Sequence, residues 1–339
     1  MDIVLIGFGN VGRGLVEILH EKGPQLRADY GLEVRLLGVA TRSRGTLYDP
    51  DGLDTGALLE AASAQRSLNA YPDSPTLRRD RDAAHLAGAS PATVMVEASP
   101  TDLQTGGAAL ELTQAALGSG KHVILASKGP VALAYNELRM LAQRSGVRLL
   151  LEATVMAGTP AIRTLTDTLA GCTIQRVRGI LNGTTNYILT EMENGMTYTD
   201  ALNQAQRLGY AERDPSGDVG GWDAAAKAMI LGAVLYNAGW TLSDLNVEGI
   251  IGITRDNVAA ALGDGTRYKL IAEVTPDGAS VGPMRLPMTD PLAAINGATN
   301  AITYSTDLLG DVTLIGPGAG PRETGFALLA DLLAIHRDG

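Results

Sequence analysis

The chain of 339 residues carries a formal net charge of −10, with 19% charged and 45% hydrophobic residues. That is an ordinary globular balance with ample core, and its sign argues against nucleic acid or an anionic membrane as the main partner. Cys172 is the only cysteine, which excludes an intrachain disulfide and a cysteine zinc cluster and fits a reducing, cytoplasmic setting.

The length allows two compact domains. Residues 2–6 (Asp2-Ile3-Val4-Leu5-Ile6) read as a strand of a buried parallel sheet, leaving no room for a signal peptide. No apolar run approaches the ~18 residues that a membrane span needs. Gly7-Phe8-Gly9-Asn10-Val11-Gly12 follows, then a helix over 11–22 and a strand over 34–39. Residues 43–92 read as an irregular excursion. Strands at 93–96, 122–125 and 147–151 then alternate with helices at 102–118 and 132–145. This alternation predicts an α/β domain over 1–150 with a Rossmann-type, doubly wound parallel sheet.

Beyond residue 151 the texture changes. Helical patterns at 160–170, 184–194, 199–208 and 222–238 precede strand-like segments at 267–275, 279–286 and 299–305. These predict a second, α+β domain over 151–309, built on an open sheet. The tail, 310–339, holds Gly316-Pro317-Gly318-Ala319-Gly320 and a helix over 322–335. A free amphipathic helix would expose Phe326, Leu329 and Leu333, so the tail is expected to fold back and complete the first domain.

In Gly7-x-Gly9-x-x-Gly12 the first glycine allows the turn, the second admits a pyrophosphate, and the third permits close helix–strand contact. The context of strand before and helix after makes this a dinucleotide site. The second strand ends in Val39-Ala40-Thr41-Arg42-Ser43-Arg44. No acid stands there to hold the ribose hydroxyls of NAD, and arginine can meet a 2′-phosphate, so NADP is favoured over NAD.

The densest chemistry lies between 179 and 231. Asp223 and Lys227 share one side of an otherwise apolar helix. A surface ion pair would need polar neighbours, which are lacking, so acid–base work is the preferred role. Glu212, Asp214 and Asp218 precede this helix in a polar loop suited to a cationic substrate group. Gly183-Thr184-Thr185-Asn186 offers amides and hydroxyls for a carboxylate at a helix start. His20, His85, His122 and His336 lie in no polar constellation, and Cys172 has no basic neighbour, which disfavours histidine- and thiol-dependent dehydrogenases.

These motifs resemble those of the homoserine dehydrogenases along essentially the whole chain. The glycine loop is joined by Glu97-Ala98-Ser99-Pro100-Thr101-Asp102, Ala126-Ser127-Lys128, and Glu152-Ala153-Thr154-Val155-Met156-Ala157-Gly158. Gly179-Ile180-Leu181-Asn182-Gly183-Thr184-Thr185-Asn186, the 209–227 run and the 316–320 glycines complete the set. The resemblance implies reversible hydride transfer between homoserine and aspartate 4-semialdehyde in a homodimer paired through the second domain. It implies Lys227 as general acid–base with Asp223 orienting it, and Lys128 as a second active-site lysine. Asp218, Glu212, Thr184, Gly183 and Tyr210 would meet substrate. Gly7, Phe8, Gly9, Asn10, Val11, Gly12, Arg42, Ser43, Ser99, Pro100, Gly320 and Glu323 would meet the cofactor. Glu152, with Val155, Ala157 and Thr159, would form a monovalent-cation (Na+) loop.

Two departures stand out: Ala-Ser-Lys replaces the Ala-Asn-Lys of many relatives, and the chain is expected to lack a regulatory domain and feedback by threonine. From the residues alone, an oxidoreductase of similar build acting on another amino acid or aldehyde, or a non-catalytic cofactor sensor, remain the rival readings.

Overall fold

The computed structural model describes residues 1–64 and 67–338 and divides into two compact units, Met1–Gly158 with Gly320–Gly339, and Thr159–Ala319. The first unit opens with β1 (Asp2–Ile6), α1 (Asn10–Tyr30), β2 (Arg35–Ala40), β3 (Thr46–Tyr48) and α2 (Thr55–Ala64). It continues through β4 (Val94–Glu97), α3 (Gly107–Gly118), β5 (His122–Leu125), α4 (Gly129–Ser145) and β6 (Leu149–Leu150). The strand order is β3-β2-β1-β4-β5-β6, with every pair parallel except β2–β3. Val4, Leu5, Val94, Met95, Val96, Val123 and Ile124 are fully buried, as expected of strands with helices on both faces. The order reverses between β1 and β4, and ligands of such sheets bind outside the strand ends at that point.

The segment read as irregular contains β3 and α2, and Leu58, Leu68, Tyr71 and Leu77 enter the core. α2 is alanine-rich and short, so it carries little helical periodicity of its own.

The second unit contains α5 (Ala161–Arg163), β7 (Ile174–Ile180), α6 (Gly183–Glu193), α7 (Tyr198–Arg207), α8 (Ser216–Val219), α9 (Trp222–Tyr236), β8 (Asn246–Val247) and α10 (Arg255–Gly263). β9 (Thr266–Thr275), β10 (Gly278–Pro287), β11 (Thr299–Thr306) and β12 (Gly310–Pro317) follow. Its sheet runs β12-β11-β7-β9-β10-β8. All its pairs are antiparallel except β8–β10. Residues 310–317, expected with the returning tail, instead pair with β11 along their whole length.

The last helix, α11 (Pro321–Asp338), is part of the first unit. Ala327, Leu328, Leu329, Leu332 and Ile335 are buried in its core. A Cβ on Gly325 would lie 2.5 Å from the Gly14 carbonyl carbon, so α1 and α11 meet at backbone distance. Leu333 packs at the margin of this core, while Phe326 stays 49% exposed. Among the described residues no helix is long and apolar enough to cross a membrane.

Candidate active site

In the second unit the site is organised by one asparagine. Asn182 caps α6: its Oδ1 accepts from the Thr185 amide at 2.9 Å. Its Nδ2 donates to Asp218 Oδ1 at 2.7 Å and to Asp223 Oδ2 at 3.0 Å. Two carboxylates from α8 and α9 are thus held apart by the two hydrogens of one amide. The first N–H groups of a helix have no intrahelical partner. With Thr185 served by the cap, the Gly183 and Thr184 amides are left for an anion among the described residues.

α9 is buried on all sides from Ala224 to Ala233, so Lys227 enters apolar surroundings and is only 6% exposed. Its Nζ donates to the Leu181 carbonyl at 2.6 Å and to Asp223 Oδ2 at 2.7 Å. An ammonium has three donors, and two fixed ones aim the third. Burial pushes the Asp218 carboxyl above its ordinary range, and the Asp223 charge adds to that, while the Asn182 amide and Lys227 oppose it. The pair Lys227–Asp223 is therefore a largely buried ion pair with a second acid beside it whose carboxyl is raised by burial.

Thr184 is buried, and its hydroxyl donates to the Tyr210 carbonyl at 2.6 Å. The Tyr210 ring itself is half-exposed and packs against Tyr187. Glu212 lies on the exposed loop after Gly209, where its carbonyl accepts from Gln206 Nε2. Gln206 Nε2 also reaches the Arg213 carbonyl at 3.4 Å, so it holds this loop by its backbone. Asp214 is likewise exposed and turns back on the Ser216 amide.

In the first unit Gly7 follows β1 and has φ +94°. A Cβ there would lie 2.4 Å from the Ala98 carbonyl oxygen and 2.6 Å from the Ser99 amide. On Gly12 it would lie 2.3 Å from the Gly7 carbonyl oxygen, whereas Gly9 has nothing within 4 Å. This is the distribution of space a pyrophosphate loop needs: two close backbone approaches and one open face. A cavity of about 370 Å³ opens there, lined by Gly9, Asn10, Arg13, Arg44, Ala62 and Ser63. Thr41 closes a tight turn, accepting from the Arg44 amide and donating to the Gly45 carbonyl. That turn directs the Arg44 guanidinium to the Phe8 carbonyl at 3.3 Å. Arg42 and Ser43 are exposed on the turn and do not line the cavity. Arg13, unnoticed in the sequence, lines it because it sits one turn into α1.

Ser99 adjoins Gly7, and Pro100 is exposed beyond it. Lys128 opens α4, its amide donating to Thr101 Oγ1 at 3.2 Å. A Cβ on Gly320, which has φ +138°, would lie 2.0 Å from Glu323 Oε2, so these two residues of α11 and its approach are in direct contact. Glu152 is 2% exposed and its amide donates to Asp331 Oδ2 at 3.1 Å. Ala157 has φ +47°. The Thr159 carbonyl, in the second unit, accepts from the Ala161 amide at 2.7 Å.

Comparison with known proteins identifies the family. Residues 160–333 match a model of the homoserine dehydrogenase family, and residues 7–152 match that of the homoserine dehydrogenase NAD-binding domain. The chain belongs to the homoserine dehydrogenase family. It is 38% identical to an NAD(+)-dependent homoserine dehydrogenase of Pseudomonas canavaninivorans, with 99% of this chain and 96% of that one covered. A crystal structure from Archaeoglobus fulgidus assigned to the same family superposes with a TM-score of 0.88 at 34% identity, covering 99% of each chain. A hyperthermophilic archaeal homoserine dehydrogenase in complex with NADPH superposes with a TM-score of 0.84 at 32% identity, covering 100% of this chain and 98% of that one. The chain is accordingly an NAD(P)-dependent oxidoreductase acting on a CH–OH group.

Proposed function

We propose that Lys227 is the general acid–base in the reversible interconversion of homoserine and aspartate 4-semialdehyde. Bound NAD(P) supplies a hydride acceptor or donor. The observation that carries the role is the ammonium fixed by Leu181 and Asp223 in apolar surroundings. In the reductive direction Lys227 protonates the developing alkoxide, and in the oxidative direction it takes up the hydroxyl proton. Asp223 holds the Lys227 Nζ in place for that step. The Gly183 and Thr184 amides take the substrate carboxylate, and Asp218 takes its ammonium, with Glu212 and Tyr210 at the rim. Homoserine-dependent formation of NADPH tests the activity. Lys227→Met should lower kcat by about 10²-fold or more, and near-normal turnover in that variant would refute the role.

For the coenzyme, we assign the 2′-phosphate of NADP to Arg44 and Arg13 rather than to Arg42 and Ser43. Two guanidiniums line one cavity at the start of α1, and no acid is among the described residues that line it. The NAD(+)-dependent relative makes this a real choice within the family. Arg44→Ala should raise KM for NADP about tenfold or more and leave that for NAD nearly unchanged. Equal effects on both coenzymes would sink the assignment.

The buried Glu152 with the Val155 and Ala157 carbonyls is assigned to a monovalent cation such as Na+, since a carboxylate and backbone carbonyls are the oxygen donors a hard cation takes and Ala157 holds a left-handed backbone. The melting temperature should be higher in sodium chloride than in choline chloride at equal ionic strength. Two copies are taken to pair through the second unit, where Met284 and Ile315 leave apolar surface on the sheet; the mass in solution decides it.

A further inference from the structure

We propose that Glu97 is a positioning residue for the reaction, tying together the three chain segments that leave β1, β4 and β5 at the coenzyme end of the sheet. The inference rests on the reading that Lys128 takes part in turnover. Glu97 is the last residue of β4 and is fully buried. Its Oε1 accepts from the Ser99 amide at 2.9 Å, and its Oε2 accepts from the Ser127 hydroxyl. Ser127, 2% exposed, immediately precedes Lys128. The Ala98–Ser99 peptide so anchored is the one against which the Gly7 turn packs. One carboxylate therefore fixes the glycine loop at one remove, the Ser99-Pro100 segment directly, and the start of α4 through Ser127.

Thr101 adds a second tie, its Oγ1 accepting from the Lys128 amide. Among the described residues no basic side chain pairs with Glu97. Burial accordingly pushes its carboxyl above the ordinary range, against the serine hydrogen bonds. An apolar residue of similar size would fill this place without the desolvation penalty. The polar network is retained where it sets the position of two coenzyme-side loops and a lysine. Groups holding a reacting constellation act in this way, since misplacement by about 1 Å can cost about 10²-fold.

The test is a double-mutant cycle on Glu97→Gln and Ser127→Ala in the full chain, with Lys128→Met as reference. We expect each single change to lower kcat/KM for homoserine about tenfold, with the melting temperature little changed. The double variant should fall no further than the worse single one, because both changes break the same link. Ser127→Thr, which keeps the hydroxyl, should restore activity. Additive losses, a lowered melting temperature with normal kinetics, or no rescue by threonine would each overturn the proposal. If Glu97→Gln does not fold, Ser127→Ala and Ser127→Thr decide alone. Normal turnover in Lys128→Met would instead refute the underlying reading. An inactive Lys128→Met beside unimpaired Glu97 and Ser127 variants would refute the inference only.

Discussion

Asn182 uses both amide hydrogens on carboxylates, one to Asp218 and one to Asp223, and Asp223 in turn holds Lys227. The two acids bridged by this amide thereby differ in character. Asp223 is matched by the lysine, while burial and its neighbour's charge raise Asp218. A raised carboxyl means the folded protein binds the Asp218 proton more tightly than the unfolded chain does. Its contribution to stability is complete below the unfolded value near 3.8 and is lost as pH rises through the folded value. At neutral pH the ionised form of Asp218, the one proposed to meet the substrate ammonium, is thus held against stability. Asp218→Asn should melt higher than the parent at pH 7.5 and lose affinity for homoserine. The gain should shrink towards zero as pH falls below the carboxyl's titration. A lower melting temperature at neutral pH would show that the ionised form is preferred after all.

At the scale of elements, the chemistry-bearing helix was visible in the sequence because Asp223 and Lys227 are four residues apart in an apolar run. The cap that organises them was less visible: Asn182 lies 36 and 41 residues from its two acids, a separation no local pattern encodes. Strand β7 escaped notice for a related reason. Gln175, Arg176 and Arg178 interrupt its apolar residues, and the strand becomes acceptable only in the sheet. There Arg178 meets Asp290 at 3.0 Å and Glu273 at 3.7 Å. The glycine loop was fully legible, since its requirements are steric and local. The choice between Arg42 and Arg44, both offered by the sequence, was not, because the turn closed by Thr41 exposes Arg42 and turns Arg44 towards the cavity beside the glycine loop. Lys269 makes the same point in the interior. It is fully buried, its pKa lowered to about 8 by burial. It donates to the Ile295 carbonyl at 2.6 Å and to Asn186 Oδ1 at 3.2 Å. Asn186 in turn donates to the Ile295, Gly297 and Thr299 carbonyls. A strand lysine and a helix asparagine thereby fix the loop ahead of β11. Neither residue advertises this in sequence.

At the scale of the whole molecule, the coenzyme-binding unit is closed by the far end of the chain. α11 supplies Ala327, Leu328, Leu329, Leu332 and Ile335 to a core that also contains Ile3, Leu5, Leu15 and Ile18. The helix that carries the glycine loop therefore packs on residues more than 300 positions away. Leu332 is fully buried there, so Leu332→Ala should destabilise by about 2–5 kcal/mol, the transfer term plus a residual cavity. The loss belongs to the unit that binds NAD(P), so coenzyme should counter it by mass action. At about 100 times its dissociation constant a ligand adds about 2.7 kcal/mol to the folded state. Melting curves of the variant with and without NADPH should thus separate at least as widely as those of the parent. Binding of NADPH should be weakened in proportion to the fraction of this unit that has opened. A Leu332→Ala protein with unchanged melting and coenzyme affinity would mean that α11 is an ornament on the first unit and not one of its walls.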